Sequence, residues 1–409
     1  MIRMSKIRTL LFSTLYPSSA RPLHGLFVET RLRELLSTGE VATTVMAPVP
    51  WFPSLDPRWG EYARMAATPM RETRHGIDVL HPRYPVVPKI GMTVAPLLLA
   101  AASIGPIRRL IAEGRDFDII DAHYFYPDGV AATMLARYFR KRVVVTARGS
   151  DINLISRYPT ARRLMQWAAR HSDASIGVCS ALADQIKPWT SSERVHVVRN
   201  GVDLQRFQPV SHEDARRKLQ IGGSPLLLSV GNLVENKGHA VVIDALAEIR
   251  KHSPDARLAI VGQGPDRERL REHAALRGCE DRVTFAGAVE HASMIDWYNA
   301  ADVLVLASAR EVWANVLLES LACGTPVVAT RVGGSPEVVT DERVGRLVES
   351  RDGWSIAESV QRLLRGHPDR GTIRRYAEAF SWDSTSRAQV ELFRRLPPLG
   401  RPDPVPVRS

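Results

Sequence analysis

One alternation, met twice along the chain, constrains the fold more than any other feature. A short apolar, β-branched run is followed by a stretch of helical period, again and again. In the first series KIRTLLFST (6–14), VATTVMAP (41–48), FDIIDAH (117–123), RVVVTA (142–147), ASIGVC (174–179) and VHVV (195–198) alternate with helical patterns near 26–38, 93–113, 128–140 and 160–171. In the second, PLLLSVG (225–231), RLAIVG (257–262), RVTFAG (282–287), DVLVLAS (302–308) and TPVVAT (325–330) alternate with helices near 238–251, 265–277, 291–299 and 314–323. Strands that are apolar throughout must be covered on both faces, and parallel pairing needs a crossover long enough to hold a helix. The pattern therefore predicts two doubly wound α/β domains facing across a cleft. A length of 409 residues is too much for one ordinary domain and suits two.

Asn-Gly and Pro punctuate RNGVDLQRFQP (199–209), which marks the join. The reading places an N-terminal Rossmann-like domain at 1–200 and a C-terminal one at 201–380. A last helix at 381–396 is expected to pack back on the N-terminal domain, and the tail 397–409, with five prolines from 397 on or just before, is expected to be disordered. Ligands of such folds bind where strand C-termini open, so the segments just after the strands carry the search for function.

Charge is distributed unevenly. The chain carries +11, yet residues 1–205 hold 27 Lys and Arg against 17 Asp and Glu, so nearly all the excess lies there. A basic half suits an anionic membrane surface or an acidic substrate. Nucleic acid is not expected, because the charge is spread rather than striped and no zinc-finger or helix-turn-helix pattern occurs. Cys179, Cys279 and Cys323 are odd in number and far apart, which excludes a disulfide framework and fits a reducing compartment. The opening MIRMSKIRTLLFSTLYPSS reads as a first strand, not a signal peptide. The longest apolar run, 93–107, is interrupted by Pro96 and Pro106. It is expected to be a buried helix, too short for the roughly 20 residues that cross a bilayer.

The densest constellation is AREVWANVLLESLACGTPVVAT (309–330). Glu311 falls in a strand-to-helix turn, and Glu319 in the second turn of the helix that follows. If both were helical they would lie about 80° apart on one side. Between them the N–H groups of Asn315, Val316 and Leu317 offer an anion site at the helix start. A phosphate flanked by two carboxylates requires those carboxylates to bind something else, and sugar hydroxyls fit: Glu319 on a ribose, Glu311 on a hexose. His, Cys and carboxylates are not grouped at ligand spacing, so no metal and no cofactor is expected. VGQGP (261–265) has Gly262 and Gly264, but Arg267 stands where a dinucleotide fingerprint needs its third glycine.

With these residues in view, the chain resembles retaining glycosyltransferases of family four, which have the GT-B architecture. Besides 309–330, the segments SVGNLVENKGH (229–239), VVRNGVDLQRF (197–207), AIVGQGP (259–265), FAGAV (285–289) and RVGGSPEVV (331–339) are similar to family motifs in order and separation. PSSARPLHGLFVETRLREL (17–35), DAHYFYPDG (121–129) and TARGSDIN (146–153) resemble its acceptor-domain loops. The resemblance implies a nucleotide-sugar donor on the C-terminal domain and a glycan or lipid-linked acceptor on the N-terminal one. It assigns Lys237 to the diphosphate, Glu311 and His123 to the donor sugar, and donor contacts to Asn232, Gly264 and Val289. Gly25 would let the backbone approach the donor phosphates. Arg148 and Asp151 read either as a surface ion pair or as contacts to acceptor or phosphate. Two positions depart from the family: Asn232 stands where Arg is typical, and Val312 where Gly commonly follows the first Glu. Arg310 or Arg148 are the cations that could supply the missing charge. Two other functions stay open at this point, a nucleotide-sugar 2-epimerase of the same architecture and a non-catalytic nucleotide-sugar binding protein. Bacterial polysaccharide synthesis in the cytoplasm, at the inner face of the membrane, is the setting the resemblance implies.

Overall fold

A computed structural model of the protein describes residues 6–86, 91–366 and 369–396. The tail expected to be disordered lies outside these residues. The chain divides into two compact units, Met1–Val198 with Ser386–Ser409, and Arg199–Thr385. The second boundary falls inside the helix Trp382–Arg395, which begins in the second unit and ends in the first.

The first unit contains strands β1 (Ile7–Phe12), β2 (Val41–Met46), β3 (Val49–Pro50), β4 (Arg71–Arg74), β5 (Ile77–Leu80), β6 (Arg83–Tyr84), β7 (Ile119–His123), β8 (Arg142–Ala147), β9 (Ala174–Gly177) and β10 (Val195–Val197). Eight of them form one sheet in the order β10-β9-β8-β7-β1-β2-β5-β4, and β3 pairs with β6 in a small ribbon. Every residue of β7 and β8 is buried, as the unbroken apolar runs require. Leu35, Val41, Ile119, Val144 and Ile176 form one core with Val390, Leu392 and Phe393 from the last helix. Fully burying a side chain of this size contributes about 1.5–3 kcal/mol, so the last helix is tied firmly to this unit.

Pairing in this sheet is parallel except at one edge, where β4 and β5 form an antiparallel hairpin that a purely parallel reading does not provide for. Its two-residue turn is His75-Gly76, with φ of 49° and 75°. Both residues lie in the left-handed region, the geometry that matches strand twist in tight hairpins. Histidine in the first of those positions gives none of the Asn-Gly signal by which such turns are read.

The apolar run lies in a helix, as expected. It belongs to a helix, Gly91–Ala112, that continues through Pro96 and Pro106. Leu99, Ser103, Ile107 and Leu110 are buried along one stripe, which holds the helix together across the prolines. Only 33% of the window Thr93–Ala112 is buried, and by length and composition the window suffices to cross a membrane. The helix is longer than the run, so the shortness expected from sequence does not hold, while the buried role holds along that one stripe.

The second unit contains β11 (Leu226–Val230), β12 (Arg257–Val261), β13 (Val283–Gly287), β14 (Val303–Leu306), β15 (Val327–Thr330) and β16 (Gly345–Val348), all parallel, in the order β13-β12-β11-β14-β15-β16. Its core joins Leu227, Leu258, Val303 and Val328 from the sheet to Ile243, Leu246, Ile356 and Val360 from the covering helices. Both sheets reverse their winding once, between β1 and β7 in the first unit and between β11 and β14 in the second. At such points crossovers leave in opposite directions and open a crevice at the strand C-termini. Among the described residues no disulfide forms, and all three cysteines are buried.

Candidate active site

Each switch point carries a cluster. In the first unit, His123 ends β7, and its carbonyl accepts a hydrogen bond from Ser13 Oγ just after β1, 2.9 Å away. The ring is buried. Its Nδ1 lies 2.5 Å from a guanidinium nitrogen of Arg148 and its Nε2 3.3 Å from Asp121 Oδ2. Arginine only donates, so Nδ1 accepts and the proton sits on Nε2, shared with Asp121. Burial, together with Arg148, outweighs Asp121 and pushes the imidazole down to about 4, so it is neutral at physiological pH. Burial likewise lowers Arg148 to about 9.

Arg148 and Asp151 are not a surface pair. Asp151 is buried and Arg148 half-buried, and the Arg148 guanidinium turns to His123 and packs over the Phe27 ring. The Asp151 carboxylate instead accepts backbone N–H groups of Phe125 at 2.6 Å, Gly149 at 2.6 Å and Arg148 at 3.2 Å. It organises the loop after β8 rather than facing a ligand. Gly25, with φ of 71°, precedes the helix Leu26–Ser37. A Cβ there would lie 2.3 Å from the Leu15 carbonyl, so the close approach this glycine permits is to its own loop.

In the second unit the parts follow successive strand ends. Lys237 closes the turn after β11, and its Nζ lies 2.7 Å from Glu311 Oε2 in the segment after β14. Ser308 Oγ donates to the same oxygen at 3.1 Å. The lysine expected on a phosphate is thus paired with the carboxylate expected on a sugar. Residues 309–314 are not helical, so the helical angle between Glu311 and Glu319 does not apply. What places Glu311 is the loop after β15: Gly334 N–H donates to Val312 O at 2.8 Å, and Gly333 sits under the Glu311 carbonyl.

The helix Asn315–Ala322 starts without a side-chain cap. Leu317 N–H is taken by Ala314 O at 3.0 Å, which removes it from the anion site and leaves Asn315 and Val316 in the first turn. Glu319 is buried, with His291 Nε2 2.9 Å from Oε1 and Tyr298 OH donating to Oε2 at 2.6 Å. The hydrogen bond from His291 to Glu319 raises the pKa of that imidazole despite desolvation. Sequence reading missed His291 and Tyr298, because a lone His and Tyr in HASMIDWY carry no spacing signal. Gly264 and Val289 lie half-buried after β12 and β13, and Asn232 is exposed after β11. Arg310 is exposed, its carbonyl accepting from Asn236 Nδ2.

The absence of metal was also expected because no Asp-x-Asp was read in the chain, but the sequence has one, Asp116-Phe117-Asp118. It precedes β7, at the opposite end from His123. Asp116 pairs with Lys141 at 2.7 Å and Asp118 with Arg8 at 2.8 Å. Among the described residues no group of three His, Cys, Asp or Glu is placed to hold a metal ion.

Comparison with known proteins matches one family model to each of two successive segments of the chain. The family described as "Glycosyltransferase Family 4" matches residues 62–206, and "Glycosyl transferases group 1" matches 211–380. The chain is 31% identical to D-inositol 3-phosphate glycosyltransferase of Corynebacterium urealyticum, over 76% of this chain and 78% of that protein. It is 29% identical to the putative teichuronic acid biosynthesis glycosyltransferase TuaC of Bacillus subtilis, over 87% and 89% of the two. Anabaena Alr3699/HepE, solved with UDP, matches with a TM-score of 0.70 and 19% identity over 96% of this chain and all of that one. The protein belongs to the family-four glycosyltransferases of GT-B fold. It is a retaining enzyme that moves a sugar from a nucleotide-sugar to an acceptor.

Proposed function

We propose that the donor nucleotide-sugar is held at the switch point of the second unit and that the acceptor is a glycan or lipid-linked sugar of bacterial polysaccharide synthesis. The observation that carries the donor part is the Lys237–Glu311 pair between the ends of β11 and β14. Glu311 Oε2 is engaged by Lys237 and Ser308, while Oε1 is left to accept a hexose hydroxyl. Lys237, with the amides of Asn315 and Val316, would stabilise the charge that grows on the departing diphosphate. Glu319, oriented by His291 and Tyr298, keeps lone pairs for a ribose hydroxyl. His123 and Arg148 are proposed as substrate contacts of the first unit. Asn232 and Arg310 bring no buried charge, so the diphosphate depends on Lys237 and backbone dipoles, and we propose transfer without a metal. The acceptor class is supported by TuaC, whose name places it in teichuronic acid synthesis. The Anabaena complexes hold UDP and UDP-glucose, so UDP-sugars are the first donors to test. A thermal-shift screen decides the donor: at one hundred times its dissociation constant a ligand adds about 2.7 kcal/mol. A set of nucleotide-sugars that shifts the wild type and Glu311→Ala equally, or shifts neither, removes the donor assignment.

We further propose reversible binding to an anionic membrane surface through the first unit. Support comes from the charge of residues 1–205 and from the apolar, partly exposed helix Gly91–Ala112. Trp51, Leu55, Trp59 and Tyr62 are also exposed, in the stretch that leaves β3. Aromatic rings of this kind settle at headgroup level, and each basic group near anionic lipid adds about 1 kcal/mol. Flotation with anionic vesicles at low salt tests it, and absence of co-migration rejects it.

A further inference from the structure

We infer that Gln389 is a positioning residue for His123, acting through Asp121. The inference rests on the reading of His123 as a donor-sugar contact, and goes beyond it by naming what fixes the ring. Gln389 comes from the helix Trp382–Arg395, Arg31 from the helix Leu26–Ser37, and Asp121 and His123 from β7. All four side chains are buried. Gln389 Oε1 accepts from Arg31 Nε at 2.9 Å, and Gln389 Nε2 donates to Asp121 Oδ2 at 2.9 Å. That same oxygen accepts the His123 Nε2 proton at 3.3 Å.

An amide accepts from a guanidinium and donates to a carboxylate at once, whereas a glutamate accepts only and a methionine does neither. The other Asp121 oxygen, Oδ1, is buried with no hydrogen-bond partner. The orientation of the carboxylate therefore depends on what Oδ2 touches, and Gln389 is the nearer of its two contacts. Without that N–H pair Asp121 is free to turn toward the buried Arg31 cation, and His123 loses the acceptor that keeps its proton on Nε2. A proton moved to Nδ1 would oppose the Arg148 guanidinium across 2.5 Å. The last helix thus completes the first unit's cluster from 268 residues away in sequence.

The test uses the full chain with 15N-labelled histidine, the His123 signals being those lost in His123→Gln. Gln389→Met keeps side-chain length and removes both bonds. Gln389→Glu keeps the bond from Arg31 and sets a second carboxylate beside Asp121. In the wild type the ring is expected to give the neutral Nε2–H pattern between about pH 6 and 8. Both variants should leave that pattern, and Gln389→Glu should protonate at higher pH, since added negative charge favours imidazolium. With UDP-glucose as donor probe, Gln389→Met should lose about 10²-fold in the rate of UDP release with donor KM unchanged, the cost typical of a misplaced reacting group. An unchanged His123 pattern in a folded variant overturns the inference whatever the turnover. A changed pattern with normal turnover supports the positioning and removes His123 from the donor site instead.

Discussion

In the proposed donor site, one contact joins the charges of Lys237 and Glu311. The ammonium is partly buried against a carboxylate at 2.7 Å, so neither charge is left uncompensated before the donor arrives. Replacing Lys237 by Ala leaves Glu311 facing a diphosphate with no cation between. We expect Lys237→Ala to lower kcat by about 10²–10³-fold, the usual cost of one transition-state charge stabiliser, and to affect donor KM less. Glu311→Ala should lose activity comparably, both proteins melting near the wild-type temperature. Near-normal rates on a verified acceptor would discard the assignment. The His291–Glu319 contact makes a second prediction. Glu319 raises the His291 pKa, so the pair stabilises the fold most fully below the unfolded imidazole value, about 6.5, and the gain is lost as pH rises through the raised folded value. The stability gap between wild type and His291→Gln should therefore be wider at pH 5.5 than at pH 8.5, as urea unfolding at each pH will measure. A gap that does not depend on pH would show that the imidazole is not charged there.

At the scale of elements, the loop after β15 is the support for Glu311. Gly333 has φ of 54°, and a Cβ there would stand 1.8 Å from the Glu311 carbonyl oxygen. Gly333→Ala combines backbone strain with a clash that only movement of residues 311–312 relieves. We expect a loss of about 1–3 kcal/mol in stability and loss of the donor-induced thermal shift. A variant that melts normally and still responds to donor would mean that the Glu311 segment is held otherwise. The helix Gly91–Ala112 makes the next prediction. Leu97 is exposed on the side away from the buried stripe, as are Trp51 and Trp59 near β3. Leu97→Glu and Trp59→Ala should reduce vesicle binding while leaving the melting temperature within about a degree, since surface changes of this kind fall within ±0.5 kcal/mol. Equal binding by both variants would locate the contact elsewhere. The element scale is also where sequence reading succeeded most. The strand Arg142–Ala147 has the limits its apolar run gives, and the helices near 26–38 and 160–171 differ from theirs by about a residue at an end, as helix ends generally do.

For the molecule as a whole, chelation is the broadest test of the mechanism. The diphosphate is assigned to Lys237 and helix amides, so transfer should proceed at an unchanged rate in EDTA. Activity that disappears with chelator and returns with Mg²⁺ or Mn²⁺ would require a cation in the step. The two-unit α/β architecture and the strand-end location of the clusters were legible in the sequence, because apolar periodicity encodes burial on both faces and parallel order encodes crossovers. The places of His123 at a strand end, of Lys237 and Glu311 after strands and of Glu319 in the following helix were legible too, while their roles are proposals. Partnerships were not legible. That Lys237 pairs with Glu311, that Asp151 holds its own loop, that Arg148 turns to His123 and that Gln389 reaches Asp121 depend on directions and distances between elements far apart in the chain. The hairpin at His75-Gly76 escaped for a related reason. Local turn propensity opposed it, and packing overruled that propensity, which only the tertiary structure decides.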